Sequence, residues 1–278
     1  MNIFDLRKLQ LSGPTDVMSA LRSIVINPIE TCNRVCVFCP RSTVSVDTSK
    51  QYKINLDLIT KIANDLRNIN YNGRIGLNGF GEPLLHDDID QCVRILKDNI
   101  PKLTWLEIQT NGDNLTRNKV QQLADAGCNT LSISMYDDDQ SEKFKSMCWD
   151  INIELVLRHH YDKSKNYNLN LINRLDLVKL ESQELNIEKQ CYLPFYKFFI
   201  DWDGRVLLCN NDVGKFTNMG NVYNETIQDI WLGEKFNVYR KHLLAGDRKS
   251  CSPCNRCNIQ GTLLGKESFD IFEKTLTC

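Results

Sequence analysis

Half of the cysteines in this chain fall in two tight triplets, Cys32-x3-Cys36-x2-Cys39 and Cys251-x2-Cys254-x2-Cys257, and each triplet restricts what its surroundings can become. The other six, Cys92, Cys128, Cys148, Cys191, Cys209 and Cys278, are scattered singly. Twelve cysteines in 278 residues amount to about 4%, below the density of a short disulfide scaffold. A chain of this length also buries enough apolar surface to fold without staples. Closely spaced cysteines in such a protein read as metal ligands or catalytic groups rather than as disulfides.

The segments around the first triplet alternate between β-rich runs and amphipathic helices. Ser23–Glu30 reads as a strand running into the triplet, and further strands are expected at 74–80, 103–110, 130–136, 151–157 and 169–175. Between them, Leu58, Ile59, Ile62, Leu66 and Ile69 stand at helical spacing, as do Ile89, Cys92, Val93, Leu96 and Ile100. Helices are also expected near 116–126 and 140–147. This βαβα order predicts parallel strands joined by crossover helices, with about six strands before residue 180. The fold class is therefore α/β, a partial (β/α)6 barrel of the TIM type. In such folds reactive residues gather at the carboxyl ends of the strands. The first triplet, Gly79–Pro83, the Thr110-Asn111-Gly112 turn and Tyr136 all fall there, which predicts one shared active site.

After Gln190 the texture changes. PFYKFFIDWDGRVLLC reads as a β-hairpin turning at Asp203-Gly204, and 226–244 as one helix. The expected organisation is an extension over 1–20, a barrel over 21–184 and a small α+β module over 185–278.

Charge and hydropathy narrow the class of partner. Lys+Arg 34 against Asp+Glu 35 leaves a net charge of −1, without the basic footprint that nucleic acid or an anionic membrane would favour. No apolar run is long enough for a membrane span, and the start lacks the apolar stretch of a secretory signal. A cytoplasmic protein acting on a small molecule is expected.

Three thiolates at this spacing can hold three irons of a cubane and leave the fourth open to another ligand. Structural zinc wants four ligands, and the nearest histidine to this triplet is the distant His86. The segment CNRVCVFCP resembles the CxxxCxxC signature of the radical S-adenosylmethionine (SAM) superfamily, including the aromatic Phe38 before the third cysteine. That resemblance implies that Cys32, Cys36 and Cys39 hold a [4Fe–4S] cluster whose open iron is chelated by SAM. Such enzymes cleave SAM to a 5′-deoxyadenosyl radical that abstracts a substrate hydrogen, using electrons from an external donor such as flavodoxin or ferredoxin. GFGEP resembles the family's GGEP motif, which implies that Gly81 and Glu82 engage the SAM amino group. By the same resemblance Phe38 lies against adenine, and Asn111 and Ser134 contact the SAM ribose or carboxylate.

Cys191, Gly204-x4-Cys209 and Cys254-x2-Cys257 resemble the twitch form of the SPASM region, which implies one auxiliary [4Fe–4S] cluster on Cys191, Cys209, Cys254 and Cys257. Cys251 or Cys278 is an alternative for one of the four, and a four-cysteine zinc site is the alternative for the whole set. Several segments resemble members of the family that oxidise a cyclitol alcohol. On that resemblance Arg174, in an Asn173-Arg174 pair after the last barrel strand, orients the substrate hydroxyl or lowers its pKa. Asn210-Asn211 depart from it, so substrate identity does not carry over. His159-His160 could face substrate or act as a base near neutral pH. Dehydrogenation of a small hydroxylated metabolite is the leading expectation. Epimerisation with Cys251 as hydrogen donor is an alternative. Peptide maturation is another, opposed by the 22 residues before the first strand, too few for the usual leader-recognition domain.

Overall fold

The run SIVI forms β1 (Ser23–Ile26), with all four residues buried, parallel to β2 (Arg74–Leu77). Burial on both faces is what a parallel strand between helical layers requires. The computed structural model describes residues 13–36, 39–42, 52–136, 140–159, 177, 190–259 and 265–276. β3 (Trp105–Thr110), β4 (Thr130–Met135) and β5 (Glu154–His159) extend the parallel ladder in chain order.

The crossovers are α1 (Leu56–Asn68), α2 (Ile89–Asn99), α3 (Arg117–Asp125) and α4 (Gln140–Cys148). Asn55 and Thr116 start α1 and α3 by accepting the Leu58 and Lys119 N–H groups at 2.8 and 3.2 Å. The helices bury the faces their spacing predicts: Leu58, Ile59, Ile62 and Leu66 on α1, and Ile89, Cys92, Val93 and Leu96 on α2. Each such leucine or isoleucine contributes about 1.5–3 kcal/mol by leaving water. Cys92, Cys128 and Cys148 are buried in this core, and burial pushes the Cys92 and Cys128 thiols up to about 12.

The C-terminal region joins the same sheet. After a short helix, α5 (Leu193–Tyr196), strand β6 (Lys197–Ile200) pairs in parallel with β1 on the side away from β2. Antiparallel strands β7 (Arg205–Leu207) and β8 (Gly220–Asn221) follow, and β6–β7 is the expected hairpin at Asp203-Gly204. The order β5-β4-β3-β2-β1-β6-β7-β8 is an open sheet, the α/β partial-barrel arrangement. The strand expected at 169–175 lies outside the described residues.

Several boundaries differ from expectation for identifiable reasons. β2 ends at Leu77 because Phe80 turns its N–H to the Asn27 side chain at 3.0 Å. β5 starts at Glu154 because Ile151 and Ile153 are held in turns, their N–H groups bonded to Cys148 and Ile151 carbonyls. The helix expected over 226–244 is two, α6 (Ile227–Leu232) and α7 (Glu234–Leu244), broken where Gly233 is extended (φ −66°, ψ 161°). A last helix, α8 (Lys266–Leu276), was not expected; it sets Phe269 and Phe272 against Phe195. Among the described residues no helix is long and apolar enough to cross a membrane.

Candidate active site

Cys32, Cys36 and Cys39 line a cavity of about 290 Å³ at the carboxyl ends of the parallel strands. Gly79–Glu82, Thr110, Asn111, Ser134, Tyr136 and Arg158 complete much of its wall, drawn from the ends of β2 to β5. The chain must come very close to itself here. A Cβ on Gly81 would meet the Ile29 carbonyl oxygen at 2.1 Å, so only glycine fits.

Glu82 is buried and acts as a clasp between turns. Its Oε1 accepts from Thr110 Oγ1 (2.6 Å) and the Leu84 N–H (3.0 Å), and its Oε2 accepts from the Asn111 N–H (2.8 Å). Burial raises its pKa, and these donors oppose the rise. Asn111 Nδ2 in turn donates to Asn33 Oδ1 at 2.8 Å, within the first cysteine loop. Asp113 completes the tie: Asn33 Nδ2 donates to it at 2.9 Å, and Arg34 grips it through Nε at 2.6 Å and Nη2. Arg34 holds the Asp113 carboxyl below its usual range, and its guanidinium lies 4.4 Å from the centre of the Tyr136 ring. The cysteine loop is thus fastened to the turn after β3 and to the end of β4.

The inner side of the cavity is polar. Gln109 Oε1 accepts from Asn78 Nδ2 (3.0 Å) and from Arg158 Nη1 (2.9 Å), while Gln109 Nε2 donates to Glu107 (2.7 Å). Glu107 pairs with Arg74. Asn78 Oδ1 and Asn210 Oδ1 are buried acceptors with no hydrogen-bond partner among the described residues, and both residues line the cavity. Buried acceptors of this kind suit hydroxyl or amine donors on a ligand.

Cys191, Cys209, Cys254 and Cys257 line a second, narrow cavity. Asp212 borders it, but its oxygens are taken by the Phe216 and Thr217 N–H groups (2.8 and 2.9 Å) and the Thr217 hydroxyl (2.6 Å). Thiols are therefore the open donors on this wall. The two cavities share one segment. Asn210 and Val213 face the first, while Cys209, Asn211 and Asp212 border the second.

Both donor sets fit iron–sulfur clusters. Among the described residues the first cavity offers three thiols and no fourth cysteine or histidine, which matches a cubane with one open iron. The second offers four. Among the described residues no three His, Cys, Asp or Glu side chains converge as they would on a single ion, so the thiols frame cavities rather than a point.

Residues 26–166 match the family described as the radical SAM superfamily, and residues 191–258 match SPASM, the iron–sulfur cluster-binding domain. The chain belongs to the radical SAM superfamily. This radical SAM protein is 29% identical over 232 residues to the S-adenosyl-L-methionine-dependent 2-deoxy-scyllo-inosamine dehydrogenase of Niallia circulans, covering 82% of this chain and 88% of that one. Among solved structures it is similar to BtrN in complex with AdoMet and 2-DOIA, at 27% identity and a TM-score of 0.72, over 89% of this chain and 95% of that one. It shares its fold with anSMEcpe with bound AdoMet, at 17% identity and a TM-score of 0.57, over 92% and 94% of the two chains. Its cofactors are SAM and iron–sulfur clusters.

The structure brings Cys32, Cys36, Cys39, Gly81, Glu82, Asn111 and Ser134 to one cavity and Cys191, Cys209, Cys254 and Cys257 to another. Cys251 is buried beside the second set, its thiol hydrogen-bonded to that of Cys254, and is not among the lining residues of the first cavity. Phe38, Arg174, His160 and Cys278 lie outside the described residues, as does the His159 side chain. Sequence reasoning missed Arg158, Gln109, Asn78 and the Arg34–Asp113 tie. A signal existed for Arg158: it follows the apolar Leu155-Val156-Leu157 within β5, and a buried strand position rarely carries a charge.

Proposed function

We propose that this radical SAM enzyme oxidises an alcohol of a small hydroxylated metabolite, such as a cyclitol, aminosugar or other sugar derivative. When bound, the SAM-chelated cluster supplies hydrogen-atom abstraction and the auxiliary cluster a place for one electron. The observation that carries the reading is the shared wall Cys209–Val213, which places a cavity lined by four cysteines next to the one at the strand ends. Conversion of an alcohol to a ketone removes a hydrogen atom, a proton and an electron, so a second redox site at that wall has a use.

In this reading Cys32, Cys36 and Cys39 hold the first cluster. The Gly81 backbone approaches SAM, and Glu82 keeps the two flanking turns in place beside the SAM amino group. Asn111 and Ser134 face its ribose or carboxylate, and Arg158 presents a fixed guanidinium to an anionic or hydroxyl group. Asn78 and Asn210 accept from substrate hydroxyls or amines. Phe38 at adenine and Arg174 at the substrate hydroxyl complete the proposal. The functional units are 21–184 and 185–278. The reductant is an external flavodoxin or ferredoxin, and the site of action is the reducing cytoplasm.

The test is turnover of a panel of cyclitols and aminosugars deuterated at carbon, with 5′-deoxyadenosine and product quantified together. The reading expects substrate deuterium in 5′-deoxyadenosine and one oxidised product for each 5′-deoxyadenosine formed. A product at the substrate's oxidation level that carries solvent hydrogen would replace oxidation with epimerisation.

A further inference from the structure

Arg248 follows α7 and is only 2% exposed. It lines the second cavity together with Cys191, Cys209, Cys254 and Cys257. Its guanidinium donates to the backbone carbonyls of Cys257 (2.8 Å), Ile259 (2.9 Å) and Cys254 (3.3 Å). Two of those carbonyls belong to residues whose thiols face the cavity. The planar fork thus holds the ligand loop in shape while fixing a positive charge within a few ångströms of it. Lysine, with one ammonium on a flexible stem, could supply the charge but not the three-way grip.

The guanidinium brings a positive charge to the wall of this cavity. Four thiolates around a cluster make the loaded site net negative, and one further electron makes it more so. A buried cation beside it favours the reduced state over the oxidised one, because Coulomb energies are little screened away from water. Among the described residues, other charged groups near this region are Asp212, tied up by Phe216 and Thr217, and Asp247, which accepts the Ser250 N–H at 3.1 Å and lies 3.2 Å from His242 Nδ1. Arg256 is turned to the Phe216 ring at 4.7 Å.

We propose that Arg248 is the built-in counter-charge of the auxiliary cluster, a positioning residue that raises the cluster's reduction potential so that it can take the electron left by substrate oxidation. The inference rests on the second thiol set holding a [4Fe–4S] cluster, as argued above. Electrons balance: one hydrogen atom leaves carbon for the SAM-derived radical, one proton leaves the hydroxyl for solvent, and one electron passes to the oxidised auxiliary cluster.

The experiment is an anaerobic redox titration of the reconstituted full chain, followed by electron paramagnetic resonance, with iron and sulfide counted in every sample. Added SAM marks the N-terminal cluster's signal, which serves as an internal control. Arg248→Gln, which keeps hydrogen-bonding capacity without charge, is expected to make auxiliary-cluster reduction at least tenfold less favourable, a fall of 59 mV for one electron, with the N-terminal signal unmoved. Arg248→Lys is expected to stay within that limit. Loss of auxiliary iron from Arg248→Gln but not from Arg248→Lys also supports the charge role. An unchanged potential in Arg248→Gln, or loss of auxiliary iron from both variants, assigns Arg248 to the carbonyl bonds alone and overturns the inference. About four irons in the unsubstituted chain would instead remove the auxiliary cluster itself.

Discussion

Asn27 Nδ2 lies 2.8 Å from Asp201 Oδ1, both side chains fully buried, and this bond ties the exit of β1 to the C-terminal hairpin. Asn27 Oδ1 faces the other way and accepts the Phe80 N–H at 3.0 Å, beside Gly81. Lys215 extends the chain of contacts, its Nζ 2.8 Å from Asp201 and 2.9 Å from Glu30. Burial works against the Lys215 charge, but Asp201 and Glu30 outweigh it and hold its pKa above the ordinary lysine value. The Gly79–Glu82 turn therefore hangs on residues of the C-terminal region.

Asn27→Ala leaves the Phe80 N–H and an Asp201 oxygen without this partner, at a cost of about 1–3 kcal/mol for each buried group. Weaker SAM binding and a lower urea midpoint are expected. Lys215→Met removes the cation held between two buried carboxylates and is expected to cost more, about 3–5 kcal/mol. Anaerobic calorimetry with SAM, alongside urea melts, checks both; unchanged SAM affinity in Asn27→Ala would contradict the coupling.

His86 gives the fold an acid limit. Its ring is buried, with Nε2 2.8 Å from the Ile54 carbonyl and Nδ1 accepting the Asp88 N–H at 3.1 Å, which fixes the neutral tautomer. Burial lowers its pKa below the ordinary histidine value of about 6.5. The unfolded chain thus takes up a proton before the folded one does. The contribution of His86 is fully present above pH 6.5 and is lost as pH falls from there through the folded pKa. Melting temperatures across that range should fall more steeply for the wild type than for His86→Gln.

Arg240 should be the costliest arginine to remove from the C-terminal helices. It is fully buried on α7, 4.0 Å from the ring centres of Trp231 and Phe272, and donates to the Trp231 carbonyl (2.6 Å) and the Pro194 carbonyl (3.0 Å). Arg240→Ala removes these bonds and the ring contacts together, for roughly 2–4 kcal/mol of stability. Arg240→Lys should recover less than half, because one ammonium cannot reach both carbonyls. Denaturant unfolding of the three proteins gives the comparison.

What the sequence made legible follows from how local each signal is. The helix faces of α1 and α2, the Asp203-Gly204 hairpin and the two cysteine sets depend on spacing within one segment, and all could be read there. The break at Gly233 was not read, because one glycine inside an apolar period is also tolerated in a helix. The β6–β1 pairing joins residues 174 positions apart and has no local mark. The same holds for the polar contacts of the site. Glu82 was read from a motif as a SAM contact, yet its three bonds to Thr110, Asn111 and Leu84 depend on how β2 and β3 end side by side.

Cys251 separates oxidation from epimerisation. Its thiol bonds to that of Cys254 rather than lining the cavity with Cys32, so Cys251→Ala is expected to keep product formation and to introduce no solvent deuterium into product. Abolished turnover, with deuterium incorporation in the wild type, would favour a hydrogen-donor role.

Two clusters, one on either side of the Cys209–Val213 wall, can be counted directly as iron and sulfide in the anaerobically reconstituted chain. About eight irons per chain are expected, falling to about four in a Cys191→Ala, Cys209→Ala double variant that still cleaves SAM. About four irons in the unsubstituted chain, with zinc on the remaining thiols, would contradict it.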